Sequence, residues 1–160
     1  MAETTNVLGL SLGTRMLGMA VGNSKGLINW RMKAFLETFS KKKVRKIWRA
    51  IEKTIDHYGV TAIGIKITEE QFKFGGVNQC FLYITEKALE KGIPLHYYDL
   101  ETIENMYIRS GKKNKTALAE KMAEKYPVLK NEYFRVTKSD YYLKLFEAVA
   151  VMDLAVIELL

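Results

Sequence analysis

The first third of the chain is written in short apolar runs. NVLGLSL at 6–12 and RMLGMAVG at 15–22 read as two strands joined tightly at Gly13–Thr14. At 27–36, Ile28, Trp30, Met32 and Ala34 alternate with more polar neighbours, the pattern of a half-exposed third strand. The period then changes. Val44, Ile47, Trp48, Ile51 and Ile55 recur at helical spacing over 40–58, and Gly59 supplies a stop. TAIGIKI at 61–67 is a buried strand with one charged residue inside it, Lys66. A helix over 77–91 ends at Gly92, and PLHYY at 94–98 is the fifth strand. Short helices cover 100–108 and 115–126, with Gly111 and Pro127 as breaks, and a long helix closes the chain over 140–160.

This order predicts an α/β fold around a mixed five-stranded sheet flanked by helices. The first three strands are joined too closely for anything but antiparallel pairing, whereas helical crossovers suit parallel strands. The 160 residues carry no repeat and no linker, so one domain over 1–160 is expected.

Composition narrows the setting. The chain is 48% hydrophobic and 27% charged, as globular proteins are. No stretch approaches the roughly 20 apolar residues that span a bilayer. The N-terminal MAETTN lacks a signal-peptide layout, and Cys80 is the single cysteine, so a cytoplasmic protein is expected. Cys80, among Phe81 and Ile84, reads as buried and inert, and His57 and His96 have no spaced partners for a metal site. Charge is more informative: 25 Lys and Arg against 18 Asp and Glu give +7 and a pI near 9.4, which suits a polyanionic partner.

Four stretches share a pattern with a known family. Gly9, Leu10, Gly13, Thr14, Arg15, Gly18, Ala20 and Val21 fit an opening hairpin that runs Gly-Ile/Leu-Asp-x-Gly-Ser/Thr-Lys/Arg, with Ser11 in place of the Asp. Gly64-Ile65-Lys66 stands where a strand-end acid is found. Ser110-Gly111-Lys112-Lys113-Asn114-Lys115 takes the place of a Gly-containing basic loop, and Lys144 to Ala150 that of an Asp-x-x-Asp-Ala-x-Ala helix. The chain thereby resembles the RuvC family of Holliday-junction resolvases, and also the related YqgF family, within the ribonuclease-H-like superfamily.

The resemblance implies a site in which about four carboxylates hold Mg²⁺ for phosphodiester cleavage. Magnesium wants hard oxygen ligands, and two ions clamp the attacking and leaving oxygens. Carried over position by position, those acids become Ser11, Lys66, Lys144 and Glu147. An ammonium about 4 Å from a divalent cation repels it by roughly 8 kcal/mol at an effective dielectric of 20. The expectation is a pseudonuclease with no metal cofactor, in which Lys66 and Lys144 supply charge that metals would otherwise bring. Lys66 lies on the strand face opposite Ile63, Ile65 and Ile67. Lys144 and Glu147, three apart, can equally be an ordinary helix-surface pair, with Asp140 four residues before.

Four places are candidates for nucleic-acid contact, DNA before RNA. Arg15 belongs to the hairpin turn. The loop residues Lys112, Lys113 and Lys115 precede a helix whose N-terminus favours phosphate, with Asn114 as its cap. Within SKKKVRKIWR, Lys41, Arg45 and Trp48 or Arg49 share a face, while Phe72 and Phe74 form a glycine-bounded pair able to stack on bases. RuvC resemblance also implies a homodimer. Two other functions stay open: a Mg²⁺-dependent endonuclease with a displaced acidic site built from Glu147, Glu69 or Glu70 and Asp140, and a protein-interaction module without nucleic acid.

Overall fold

The computed structural model describes residues 5–73, 75–136 and 142–160, apart from the Phe72 side chain. Five strands form one sheet: β1 (Asn6–Leu12), β2 (Met16–Asn23), β3 (Gly26–Ala34), β4 (Val60–Ile67) and β5 (Leu95–Asp99). Their spatial order is β3-β2-β1-β4-β5. The first three are antiparallel neighbours, and β1–β4 and β4–β5 are parallel, as the connection lengths demand.

Two layers of helix cover the sheet. On one face lie α1 (Lys41–Tyr58) and α2 (Gly75–Glu90), packed on Leu8, Leu10, Leu12, Ile63 and Ile65. On the other lies α6 (Leu143–Leu159), with α3 (Leu100–Tyr107), α4 (Lys115–Lys125) and α5 (Lys130–Val136) around it. Gly59 is the stop that the sequence predicts for α1, and Ser40 adds a cap at the other end. Ser40 caps α1 by accepting from the Lys43 N–H at 3.1 Å, and Gly59 ends it in the left-handed region at φ 59°.

Helix α6 is buried from Leu145 through Ala155, all round its circumference. It lies on glycines. A Cβ on Gly9 would sit 2.2 Å from the Ala148 carbonyl oxygen, and one on Gly18 would sit 2.4 Å from that of Lys144. Gly22 and Gly64 likewise face Met152 and Val151. Helix and sheet backbones meet more closely than any side chain allows.

Several expectations need correction. The third strand stops at Ala34, α2 begins at Gly75, and α5 is an additional helix. Its seven residues bury one side chain, Val136, so periodicity leaves no trace there. Trp48 is 5% exposed and packs in the core, which removes it from the basic face of α1 and leaves Arg49 there. Lys43, from the same basic run, is 2% exposed: its ammonium donates to the Thr14 and Glu37 carbonyls at 2.7 and 2.6 Å.

The glycine contacts give a sharp contrast. Gly18→Ala and Gly9→Ala are expected to destabilise by about 3 kcal/mol or more, since backbone cannot yield as a rotamer does. Gly75→Ala, with nothing within 4 Å, should stay within about 0.5 kcal/mol. Urea unfolding of the three variants measures both.

Candidate functional site

Register builds the site. Parallel pairing of β1 with β4 sets Ser11 beside Lys66, and antiparallel pairing of β1 with β2 sets Ser11 beside Gly18. These side chains face α6. Because α6 lies against Gly9 and Gly18, its next inward residue, Glu147, comes down directly on Ser11 and Lys66. The four positions singled out in the sequence therefore meet at one carboxylate. Lys66 Nζ is 3.2 Å from Glu147 Oε2, Lys144 Nζ is 3.7 Å from Oε1, and Ser11 Oγ donates to Oε1 at 3.4 Å.

Lys66 and Glu147 are each only 1% exposed, so theirs is a buried ion pair and not the surface pair that i,i+3 spacing alone would suggest. The contacts are long for hydrogen bonds, and Oε2 has no aligned donor. Charge holds the cluster together more than hydrogen-bond geometry does. Burial favours the neutral form of Glu147, but Lys66, Lys144 and Lys115 outweigh it and hold the carboxyl below its ordinary range. Lys66 is in the reverse position. Burial, with Lys144 and Lys115 behind it, pulls its ammonium down to about 8 against the attraction of Glu147. One anion shared among three cations accounts for both directions.

The cluster opens into a cleft of about 450 Å³ lined by Gly13, Thr14, Thr68, Gln71 and the lysines Lys66, Lys115 and Lys144. The Lys144 stem crosses Gly13, whose missing side chain leaves it room. Gln71 braces the wall, donating to the Leu12 carbonyl at 2.6 Å and accepting from the Thr68 N–H at 3.0 Å. Glu70 also lines the cleft, while Glu69 does not. Three ammonium groups against Glu70 and Glu147 leave one positive charge in surplus.

The remaining candidates are dispersed. Lys112 and Lys113 are exposed on the loop before α4, where Asn114 caps the helix by accepting from Ala117 N–H at 2.8 Å. Lys113 donates to Asn105 Oδ1 at 2.5 Å. Arg15 is exposed on the β1–β2 turn. Lys41 and Arg45 border a different groove, with Gln79 and Tyr83 between α1 and α2. The Phe72 side chain, Phe74 and Asp140 lie outside the described residues. Cys80 is buried, and burial pushes its thiol up to about 12.

Two features escaped the sequence reading. Glu104 of α3 is pushed up by burial and by the nearby Glu147 charge, so it too borders the cluster's field. Asp153 of α6, 3% exposed, accepts from the Tyr107 hydroxyl at 2.5 Å, from the Tyr126 hydroxyl, and from Lys125 Nζ at 2.7 Å. A lone acid inside the apolar run AVAVMDLAVI was the available signal.

The donor set does not fit magnesium. One carboxylate and one hydroxyl are offered beside two ammonium groups, and among the described residues no three His, Cys, Asp or Glu side chains gather to hold a metal ion.

The ion pair generates two expectations. Lys66→Met or Glu147→Leu alone strands a buried charge and should cost about 3–5 kcal/mol, while the double variant should fall within about 1 kcal/mol of the parent or exceed it. A denaturation cycle checks this. Glu147, with its folded pKa depressed below 4.5, contributes stability that is present above that pH and lost as pH falls further. Glu147→Gln should therefore flatten the acid limb of the stability curve, read as Tm from pH 3 to 6.

No protein-family model matches the chain, and no curated protein sequence matches it. Solved structures do. RuvC of Thermus thermophilus, both alone and in complex with a Holliday junction substrate, superposes with a TM-score of 0.65 at 16% identity, covering 92% of this chain and 90% of that one. The yeast mitochondrial Holliday junction resolvase Ydc2 gives 0.61 at 12% identity, over 95% of this chain and 78% of that one. In its mixed sheet and its covering helices, this chain has the ribonuclease-H-like fold in its RuvC form.

Proposed function

We propose that this chain is a RuvC-like domain that binds structured or branched nucleic acid, four-way DNA junctions foremost, without metal-dependent cleavage. The observation that carries this reading is the Lys66–Glu147–Lys144 cluster. It stands where the resemblance places a carboxylate tetrad, and it presents a surplus positive charge in place of four negative ones. Such a cleft attracts a phosphate and repels a divalent cation. Lys115 in the cleft, the exposed Lys112 and Lys113 just before it, and the exposed Arg15 next to the cleft-lining Thr14 add cations for a backbone to release counterions against. The same resemblance supports a homodimer, which would offer two clefts to one junction. Of the acids named for a displaced-acid nuclease, Glu147 and Glu70 are at the cleft, Glu69 is not among its lining residues, and Asp140 lies outside the described residues. Among the described residues no helix is long and apolar enough to cross a membrane.

Junction DNA should bind equally in EDTA and in Mg²⁺, with affinity that falls steeply with salt. Lys112→Ala/Lys113→Ala/Lys115→Ala should weaken it at least tenfold at 100 mM salt. Gel shift and cleavage assays on one labelled junction decide it. Mg²⁺-dependent product that disappears in Glu147→Gln would establish a nuclease and overturn the proposal.

A further inference from the structure

A second cationic surface runs away from the cleft along α1. Its near end is fixed by the Lys43 ammonium, which donates to the Thr14 carbonyl at 2.7 Å and so ties the first turn of α1 to the turn that lines the cleft. From there Lys42, Lys46, Arg49, Lys53 and His57 follow one another at spacings of three and four, all exposed on a single helix face.

Ion-pair accounting separates this stripe from an ordinary solvated face. Helix α1 has two acids, Glu52 and Asp56, and both are taken by Lys91 of α2, at 3.5 and 3.3 Å. Lys46 has Glu37 at 3.6 Å. Among the described residues, Lys42, Arg49 and Lys53 have no acidic partner within 4.0 Å, and neither does Arg31 of β3. A face evolved only for solubility intersperses its signs. Here the acids are drawn off to one side and the cations left in line.

The far end is concave. Arg31 pairs in register with Met19, on the face that α1 covers, where Thr54 of α1 reaches the Met19 sulfur at 3.7 Å. Sheet and helix thereby form an open groove of about 720 Å³ whose walls include Arg31, Lys53, His57 and Asn29. Asp56, the acid in that groove, leans toward Lys91, which it shares with Glu52. Among the described residues, Arg31 and Lys53 line this groove with no acidic partner within 4.0 Å.

We propose that this stripe and its terminal groove form a second phosphate-contact site, which carries one duplex arm away from the cleft along α1. The proposal rests on the nucleic-acid reading above and gives it a direction. From Lys42 to His57 the helix rises about 22 Å. That matches about six or seven base pairs at 3.4 Å each, so the groove meets the backbone about two-thirds of a turn from the cleft. The contacts are to phosphates, so they position the arm without reading its sequence.

The test uses the full chain and a four-way DNA junction. Arg31→Ala/Lys53→Ala alters two exposed, unpaired side chains, and an unchanged Tm certifies the fold. In this variant the slope of log affinity against log salt should fall by about two. Neutral methylphosphonate linkages are then stepped along one arm of the junction. Those about six or seven pairs beyond the cleft contact should weaken the wild type and leave the double variant unaffected. A wild-type protein that binds but whose slope the double variant leaves unchanged overturns the second site alone. A wild type that binds no nucleic acid at low salt overturns the underlying reading, and this site with it.

Discussion

The close approach of α6 to the sheet is the constraint on which everything else depends. A helix normally rides on side chains that hold it well clear of the strands beneath. Here Gly9 and Gly18 let backbone meet backbone, and Gly22 and Gly64 extend the channel on either side. Two consequences follow from that one contact. Eleven consecutive residues of α6 become core, and Glu147 is brought to within 3.4 Å of Ser11 and 3.2 Å of Lys66. A side chain in the channel would lift the helix and separate the cluster, so packing and site geometry cannot be varied independently.

Given that geometry, electrostatics decides what the site can do. A carboxylate buried at the meeting of three elements must be neutralised by something. In a metal-dependent nuclease the ions do this, and they must be supplied from solution. Here Lys66 and Lys144 do it from within the chain. The neutralising charges at Glu147 are thus covalently held. Lys66 is not comfortable in this role, as its lowered pKa of about 8 shows. An apolar pair would pack there at less desolvation cost. The ion pair is itself neutral, and the positive surplus of the cleft comes from Lys144 and Lys115 beside it.

Much of the architecture was legible because it is encoded locally. The period-2 runs, the helical spacing up to Gly59 and the short hairpin connections give the strands and α1 almost to the residue. The side of β4 on which Lys66 lies follows from alternation alone. Its pairing with Glu147, 81 positions further on, does not. Only the family pattern brought those two residues together in the sequence reading, and the β1–β4 register is its physical basis. What stayed hidden was tertiary. Nothing in SKKKVRKIWR distinguishes Lys43 from its neighbours until two carbonyls, from Thr14 and Glu37, converge on it. Trp48 has the periodicity of a core residue and the setting of a surface one, and burial settled the matter.

The two buried acids of α6 make the division of labour concrete. Asp153 is held by short bonds from Tyr107, Tyr126 and Lys125, which belong to the ends of α3 and α4. Both of its oxygens accept a bond, and it pins both ends of the segment that carries the basic loop. Glu147, six residues earlier, is as deeply buried yet held only by long contacts, with one oxygen lacking an aligned donor. A carboxylate used purely for architecture would be expected to look like Asp153, because unsatisfied lone pairs are expensive in a core. Glu147 stands instead behind the lysines that line the cleft and is held chiefly by their charge. The well-bonded acid keeps the loop in place; the loosely bonded one balances the lysines beside it.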